Sequence, residues 1–368
     1  MVTFAQKLAR MPGYQAGVPK GKAPESIGAE GIAQLASNES PFPPHPEVVE
    51  AIARAAASMN RYPDPAATLL RRRLADRYDT DPARIAVSNG SCEILLAAAL
   101  ALCEPGDEIV YAWPAFSIYP YLAALAGARE IRVPLAAEDV HDLDAILTEV
   151  TAATQLAIVC NPNNPTGTYL PAGRIADFCE RMPGHVTVIL DEAYIEYQGV
   201  DDPDSTVDLL ARFPNLVLLR TFSKCYGLAG LRVGYSISAP KFRTAVDAVR
   251  QPFSVNALAQ AAAAEAILHG DDVLRRVEGN IAERIHVEDG LAELGLATAD
   301  SQANFSWAGL GEAGEEEEEE EVVVVAALAE RGVFVRAGTP LGGPGHIRVT
   351  YGTRSDNDRF LVALGEIL

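Results

Sequence analysis

The chain has 368 residues, almost half of them apolar and 22% charged, enough for two domains with sizeable cores. Its formal net charge of -20 argues against nucleic acid, which demands Lys and Arg, and equally against an anionic membrane face. The cysteines at 92, 103, 160, 179 and 225 show no C-x-x-C spacing and the six histidines no cluster, which speaks against a disulfide framework and against a metal site.

Residues 1–37 are rich in Gly, Pro and Ala and read as an extended arm, without the apolar stretch of a signal peptide. The longest apolar run, near Ile94–Cys103, is well short of the roughly 20 residues needed to span a bilayer, so a cytoplasmic protein is expected. A Pro-rich turn after Leu35 leads into helices over 46–58 and 65–78, the second with Arg71, Arg72 and Arg73 toward solvent. From Ile85 short apolar strands are expected at 85–88, 108–111, 129–133, 155–160, 186–190, 216–221 and 232–237. Helices at 91–103, 115–126, 142–149 and 171–181 alternate with them, the pattern of a mostly parallel sheet covered on both faces. Ligands of such sheets sit beyond the carboxyl ends of the strands. After Pro240 come helices at 241–249, 256–268 and 271–294, strands near 303–307, 333–336 and 346–350, and helices near 318–331 and from 356. This divides the chain into an arm (1–37), a large α/β domain (38–240) and a smaller α+β domain (241–368). The acidic run Glu315–Glu321 reads as a solvated loop entering a helix, without functional weight.

Several strand ends carry residues with chemistry. Only five of the 30 basic residues are lysines, and one of them, Lys224, follows the 216–221 strand in Ser223-Lys-Cys-Tyr-Gly-Leu-Ala-Gly-Leu-Arg232. A lysine amine there condenses with an aldehyde, and Ser223 and Arg232 suit a phosphate; alone, the segment is as well a surface loop beside Gly turns. Asp191 ends an apolar strand and could keep a ring nitrogen protonated or simply cap the next helix, with Tyr194 three residues on. Asn164 lies in Asn161-Pro-Asn-Asn-Pro-Thr-Gly167, ordinary turn chemistry or a donor to a ligand oxygen. Ser91 and Cys92 open a helix whose first-turn amides form an anion site. Phe116 stacks on a flat ring or packs in the core. Arg348, on a strand of the second domain, pairs with a protein carboxylate or a substrate's, and Arg336 on the preceding strand is a second candidate.

Taken together, in this order, these segments resemble the fold-type I pyridoxal-phosphate (PLP) enzymes, in particular the histidinol-phosphate aminotransferase family. The likeness runs over nearly the whole chain, through Ala36-Ser-Asn-Glu-Ser-Pro-Phe, Arg61-Tyr-Pro-Asp, Asn-Pro-Thr-Gly, Asp191-Glu-Ala-Tyr, Ser223-Lys and Arg348. The resemblance implies a seven-stranded, mostly parallel large domain with PLP held in a Schiff base by Lys224. Asp191 would pair with the ring nitrogen, Tyr194 and Asn164 would hold the phenolic oxygen, and Phe116 would stack on the ring. Ser91, Cys92, Ser223 and Arg232 would bind the phosphate, joined by Tyr62 from the other subunit of a homodimer. Arg348, with Arg336 and Tyr14, would bind the substrate. The chain departs from the family at Cys92, where an Asp is usual, and at Phe116, where many members have Tyr.

The implied reaction is a ping-pong transamination in which Lys224 carries the proton between the substrate Cα and the cofactor, with 2-oxoglutarate as keto acceptor. Histidinol phosphate is the first expected donor. Leu219-Arg-Thr-Phe-Ser-Lys and Pro252-Phe-Ser-Val-Asn-Ala-Leu-Ala-Gln resemble an aromatic aminotransferase branch, which makes phenylalanine the runner-up. A PLP-dependent threonine-phosphate decarboxylase and a non-enzymatic regulator are further readings.

Overall fold

The computed structural model describes residues 11–12, 31–311 and 317–368. A short strand, β1 (Ala33–Gln34), leads through an irregular crossing to helices α1 (Pro46–Ala56) and α2 (Thr68–Arg77). Strands and helices then alternate: β2 (Ile85–Ser88), α3 (Ser91–Leu102), β3 (Glu108–Trp113), α4 (Ile118–Ala126), β4 (Arg129–Pro134), α5 (Leu143–Glu149), β5 (Thr154–Cys160), α6 (Ala172–Arg181), β6 (Thr187–Asp191), β7 (Leu216–Thr221) and β8 (Gly234–Ile237). They build one seven-stranded sheet in the order β2-β8-β7-β6-β5-β3-β4. The central strands carry continuous apolar runs, Leu156–Cys160 in β5 and Leu216–Leu219 in β7, because both faces are covered. Val159, Leu190 and Leu218 face one core; Ile158, Ile189 and Val217 face the other.

Only β8 runs antiparallel, between β7 and β2. The carboxyl ends of β2, β5, β6 and β7 therefore share one edge with the beginning of β8. Gly234 sits opposite both Ser88 and Thr221 there. Arg232 does not belong to this strand, as the sequence reading had it. It lies before β8 in a left-handed conformation (φ 57°), which ends the extended run and turns the side chain toward the edge.

Beyond the sheet come α7 (Pro240–Val249), α8 (Ala257–Ala266) and the long α9 (Gly270–Glu293), then β9 (Phe305–Gly309), α10 (Glu317–Glu330), β10 (Val333–Phe334), β11 (Arg336–Ala337), β12 (His346–Thr350) and α11 (Arg354–Ile367). The expected strand at 333–336 is two strands: β10 pairs with β1 of the arm, and after Val335 the chain switches to pair β11 with β12. Ala33 and Leu35 join Val287, Leu328, Val349 and Phe360 in a separate core. Val246 of α7 and Ala259 and Ala263 of α8 are buried against the large sheet instead. We therefore propose the domain boundary near residue 268 rather than at 240. Arg71 and Arg73, expected toward solvent, are half-buried and bond to Asp247 and to the Ala264 carbonyl; only Arg72 is exposed. Among the described residues no helix is long and apolar enough to cross a membrane.

A buried ion pair fixes the connection that carries Asp191. Arg220 of β7 donates through Nε to Glu192 (2.7 Å), through Nη1 to Asp204 (2.6 Å) and through Nη2 to the Pro203 carbonyl (2.7 Å). The Thr206 hydroxyl donates to the other Glu192 oxygen. Burial pushes the Glu192 carboxyl up and Arg220 opposes it. Removing one partner leaves the other charge buried alone, so Arg220→Ala is expected to cost about 3–5 kcal/mol in urea unfolding. A loss below about 1 kcal/mol, the value of a surface pair, would contradict this role.

Candidate active site

A cavity of about 320 Å³ opens at the shared strand edge, between the large sheet and β11–β12. The carboxyl end of β6 delivers Asp191 to its floor. Tyr119 of α4 donates to Asp191 Oδ2 at 2.9 Å, while buried Oδ1 has no partner among the described residues. Burial raises this carboxyl to about 6, with the Tyr119 hydroxyl and the Ala193 N–H opposing. A dehydrated carboxylate with one open oxygen suits a cationic N–H arriving from the cavity.

Lys224 follows β7 and donates to the Ser37 carbonyl at 3.0 Å, with its Nζ 5.6 Å from the centre of the Tyr194 ring. Burial, then the Arg348 charge, lowers its amine to about 7, with Arg232 adding in the same direction and Glu39 opposing.

One end of the cavity offers donors that suit an anion, from backbone and arginine. Gly90 (φ 78°) begins α3, so the first-turn residues Ser91 and Cys92 line the cavity. A side chain at Gly90 would meet the Arg232 guanidinium, and one at Gly234 would meet the Ser91 amide. Arg232 Nη1 donates to Ser223 Oγ (3.3 Å), and Ser223 Oγ accepts from Thr221 (3.0 Å). Burial, then Asp191, raises the Cys92 thiol, so it adds no negative charge beside these donors.

At the opposite end stand β11 and β12, with Arg336 directly across from Arg348 in the register. Buried Arg348 donates to Asn164 Oδ1 (2.5 Å) and to the Ala36 carbonyl (2.8 Å). Its use of the Asn164 oxygen leaves the amide NH₂ as that side chain's other functional end. Phe116 stands at the wall, edge-to-face with Tyr119.

The structure thus gathers Ser91, Cys92, Phe116, Asn164, Asp191, Tyr194, Ser223, Lys224, Arg232, Arg336 and Arg348 around one cavity. Tyr62 is not among them. It is 83% exposed, stacked on Phe253 over a separate surface hollow lined also by Met59, Pro63 and Leu258. Tyr14 lies outside the described residues.

Other cavity residues escaped the sequence reading. Leu341 lines the cavity from the turn between β11 and β12. That turn is held by Glu321, which accepts from the Thr339 amide (3.0 Å), the Thr339 hydroxyl (2.9 Å) and the Gly345 amide (3.0 Å). Glu321 belongs to the acidic run given no weight above, yet it is 1% exposed. Its signal was phase: Glu321, Val324 and Leu328 follow one face of α10. Away from the cavity, folding brings ligand atoms of Glu47, Glu265 and His269 within 4.8 Å of one another, a grouping hidden by the distance of Glu47 along the chain from the other two.

Comparison with known proteins places this geometry. Residues 30–364 match the family model described as aminotransferase class I and II. An aromatic amino acid aminotransferase of Thermobifida fusca is 46% identical over 341 residues, covering 91% of this chain and 90% of that protein. One from Streptomyces coelicolor is 41% identical, covering 94% of each. The solved histidinol-phosphate aminotransferase of Sinorhizobium meliloti in complex with pyridoxal-5'-phosphate superposes with a TM-score of 0.88 at 29% identity, over 100% of this chain and 98% of that one. The Thermus thermophilus aspartate aminotransferase with maleate, at 22% identity and a TM-score of 0.83, shares the fold.

An amine lowered to about 7 is mostly protonated at pH 6 and mostly neutral at pH 8. Imine formation at Lys224 in the cofactor-free protein, trapped by borohydride and read by peptide mass, is therefore expected to quicken about tenfold between those values and then level off. A rate still rising tenfold per unit above pH 9 would show an ordinary surface lysine.

Proposed function

The chain belongs to the aminotransferase class I and II family and is a pyridoxal 5'-phosphate-dependent aminotransferase, and from that premise we propose that its amino donors are aromatic amino acids such as phenylalanine. The observation that carries the choice is the likeness, at 41–46% identity over nine-tenths of the chain, to proteins named aromatic amino acid aminotransferases. Phe116 and Leu341 support it as apolar surfaces in the cavity. Histidinol phosphate, ranked first on sequence, remains the second reading: Arg336 beside Arg348 suits a further anionic group, and the Sinorhizobium meliloti protein carries that name. The aminotransferase family sets aside the lyase and regulatory readings.

The residues present fit the cofactor. The open Oδ1 of Asp191 awaits a ring N–H, and the glycine-lined helix start awaits a phosphate. When bound, PLP supplies an aldehyde for amines and a ring that takes up electrons from carbon. Asp191 holds the ring nitrogen protonated. Ser91, Cys92, Ser223 and Arg232 hold the phosphate, Tyr194 and Asn164 the phenolic oxygen, and Phe116 the ring face. Arg348 takes the substrate carboxylate, with Arg336 as its neighbour. Lys224 Nζ, its basicity lowered to about 7, would accept the proton from the substrate Cα and pass it to the cofactor's C4′ within the same half-reaction, and would make the reverse transfer for a keto acid, 2-oxoglutarate in this reading, in the second half of a ping-pong cycle.

The protein works, in this reading, as a cytoplasmic homodimer. Tyr62 and Phe253 would be covered by the second subunit, and Tyr62 would reach that subunit's cofactor phosphate. An aromatic pair exposed over an apolar hollow supports such a surface.

In single-turnover absorbance measurements, phenylalanine is expected to convert the bound cofactor with a kcat/KM at least about tenfold above that for histidinol phosphate. The reverse ratio would establish the second reading. Tyr62→Phe is expected to raise the Kd for PLP about tenfold, roughly one charge-assisted hydrogen bond, while the protein sediments as a dimer. A fully active monomer would contradict the shared site.

A further inference from the structure

The segment Ala36–Asn38 crosses the cavity mouth between the arm strand and α1, and three of its groups hold site residues. The Ala36 carbonyl accepts from Arg348, the Ser37 carbonyl from Lys224, and the Asn38 side chain donates to Tyr194. Asn38 is 1% exposed and left-handed (φ 52°), a conformation that Asn tolerates better than most residues.

Its hydrogen bonds determine one another. The Asn38 backbone N–H donates to Thr350 Oγ1 at 2.9 Å. The Thr350 hydroxyl therefore directs its own proton elsewhere, and Asn38 Oδ1 lies 3.2 Å away to accept it. That makes this end of the amide the oxygen, so the other end is the NH₂ group. Nδ2 donates to the Tyr194 hydroxyl oxygen at 2.9 Å. With a lone pair so occupied, the Tyr194 proton leaves in another direction, and Tyr194 lines the cavity. The Tyr194 ring is held edge-to-face on Phe305 at 5.0 Å, and Asn304 donates to the Asn38 carbonyl at 3.2 Å. Thr350 and Arg348 stand two apart on β12 and so share a face.

We propose that Asn38 is a positioning residue: it fixes the Tyr194 hydroxyl as a donor into the cofactor cavity and ties that direction, through Thr350, to the strand that carries Arg348. The inference rests on the PLP reading above, because the acceptor it supplies is the cofactor's phenolic oxygen. A donor at that oxygen draws charge from it and so weakens proton binding at the neighbouring nitrogen link to Lys224. Among the described residues the charged and titratable groups near Lys224 and Tyr194 include Arg348, Arg232, Arg336, Glu39, Cys92, Cys160, Asp191 and Tyr197, and none is altered in the test.

The test is the pH midpoint of the visible band of the PLP-loaded protein. Asn38→Leu is expected to raise that midpoint by roughly 0.5–1 unit, a three- to tenfold change in proton affinity. Thr350→Val, outside the cavity and nearly isosteric, is expected to shift it in the same direction. In a Tyr194→Phe background, which itself raises the midpoint, neither change should add more than about 0.2 unit, because the hydroxyl through which they act is gone. Equal shifts with and without that hydroxyl, or unshifted midpoints in the single variants, would overturn the role of Asn38. A wild-type protein that shows no visible band with added PLP would instead overturn the cofactor reading.

Discussion

Everything at the cavity depends on the dehydration of one carboxylate. Asp191 is brought to the end of β6 with Oδ2 satisfied by Tyr119 and Oδ1 buried without a partner among the described residues. Burial alone favours its neutral form, so its charge needs a cation close by. The same cavity crowds Lys224 with Arg232, Arg336 and Arg348, and burial, then the charges of Arg348 and Arg232, hold the lysine amine low. The groups proposed to anchor anionic ends of ligands thus add to burial in keeping Lys224 nucleophilic. An anion bound at either arginine weakens that field, so the basicity of the amine is linked to occupancy of the site.

Much of this was legible in the chain. Continuous apolar runs such as Leu156–Cys160 and Leu216–Leu219 announce strands covered on both faces, and Asp191, Asn164 and Lys224 follow such runs closely, so topology alone delivers them to one edge. The single antiparallel strand was not legible, since β8 differs from its neighbours in direction and not in composition. That reversal is why Arg232, far along the chain from Ser91, lines the same cavity. The position of α7 and α8 was also hidden: an alanine-rich helix such as Ala257–Ala266 packs on any apolar surface, and only the fold shows that the surface is the large sheet.

Other features lay beyond pattern reading because they depend on single atoms. Glu321 ends a run of identical residues, and only its helical phase with Val324 and Leu328 separates it from its solvated neighbours. Once buried, its carboxylate gathers two amides and a hydroxyl and so holds the turn that presents Leu341. The same turn meets the large domain, where Gly342 leaves no room for a side chain against Trp113 and the Leu341 carbonyl accepts from the Ala115 amide. The motifs quoted for the family concern the cofactor, whereas the proposed donor's side chain would meet Leu341 on this turn. That is why the sequence identifies the chemistry more sharply than the donor.

The pairing proposed for Asp191 is tested most directly by nuclear magnetic resonance of PLP labelled with ¹⁵N at its ring nitrogen, bound to the protein and to Asp191→Asn. The ring nitrogen should be protonated across neutral pH in the wild type and should lose its proton in Asp191→Asn, an isosteric change that removes the charge. An unprotonated nitrogen in the wild type, or a protonated one that survives the substitution, would show that the buried carboxylate is not its partner.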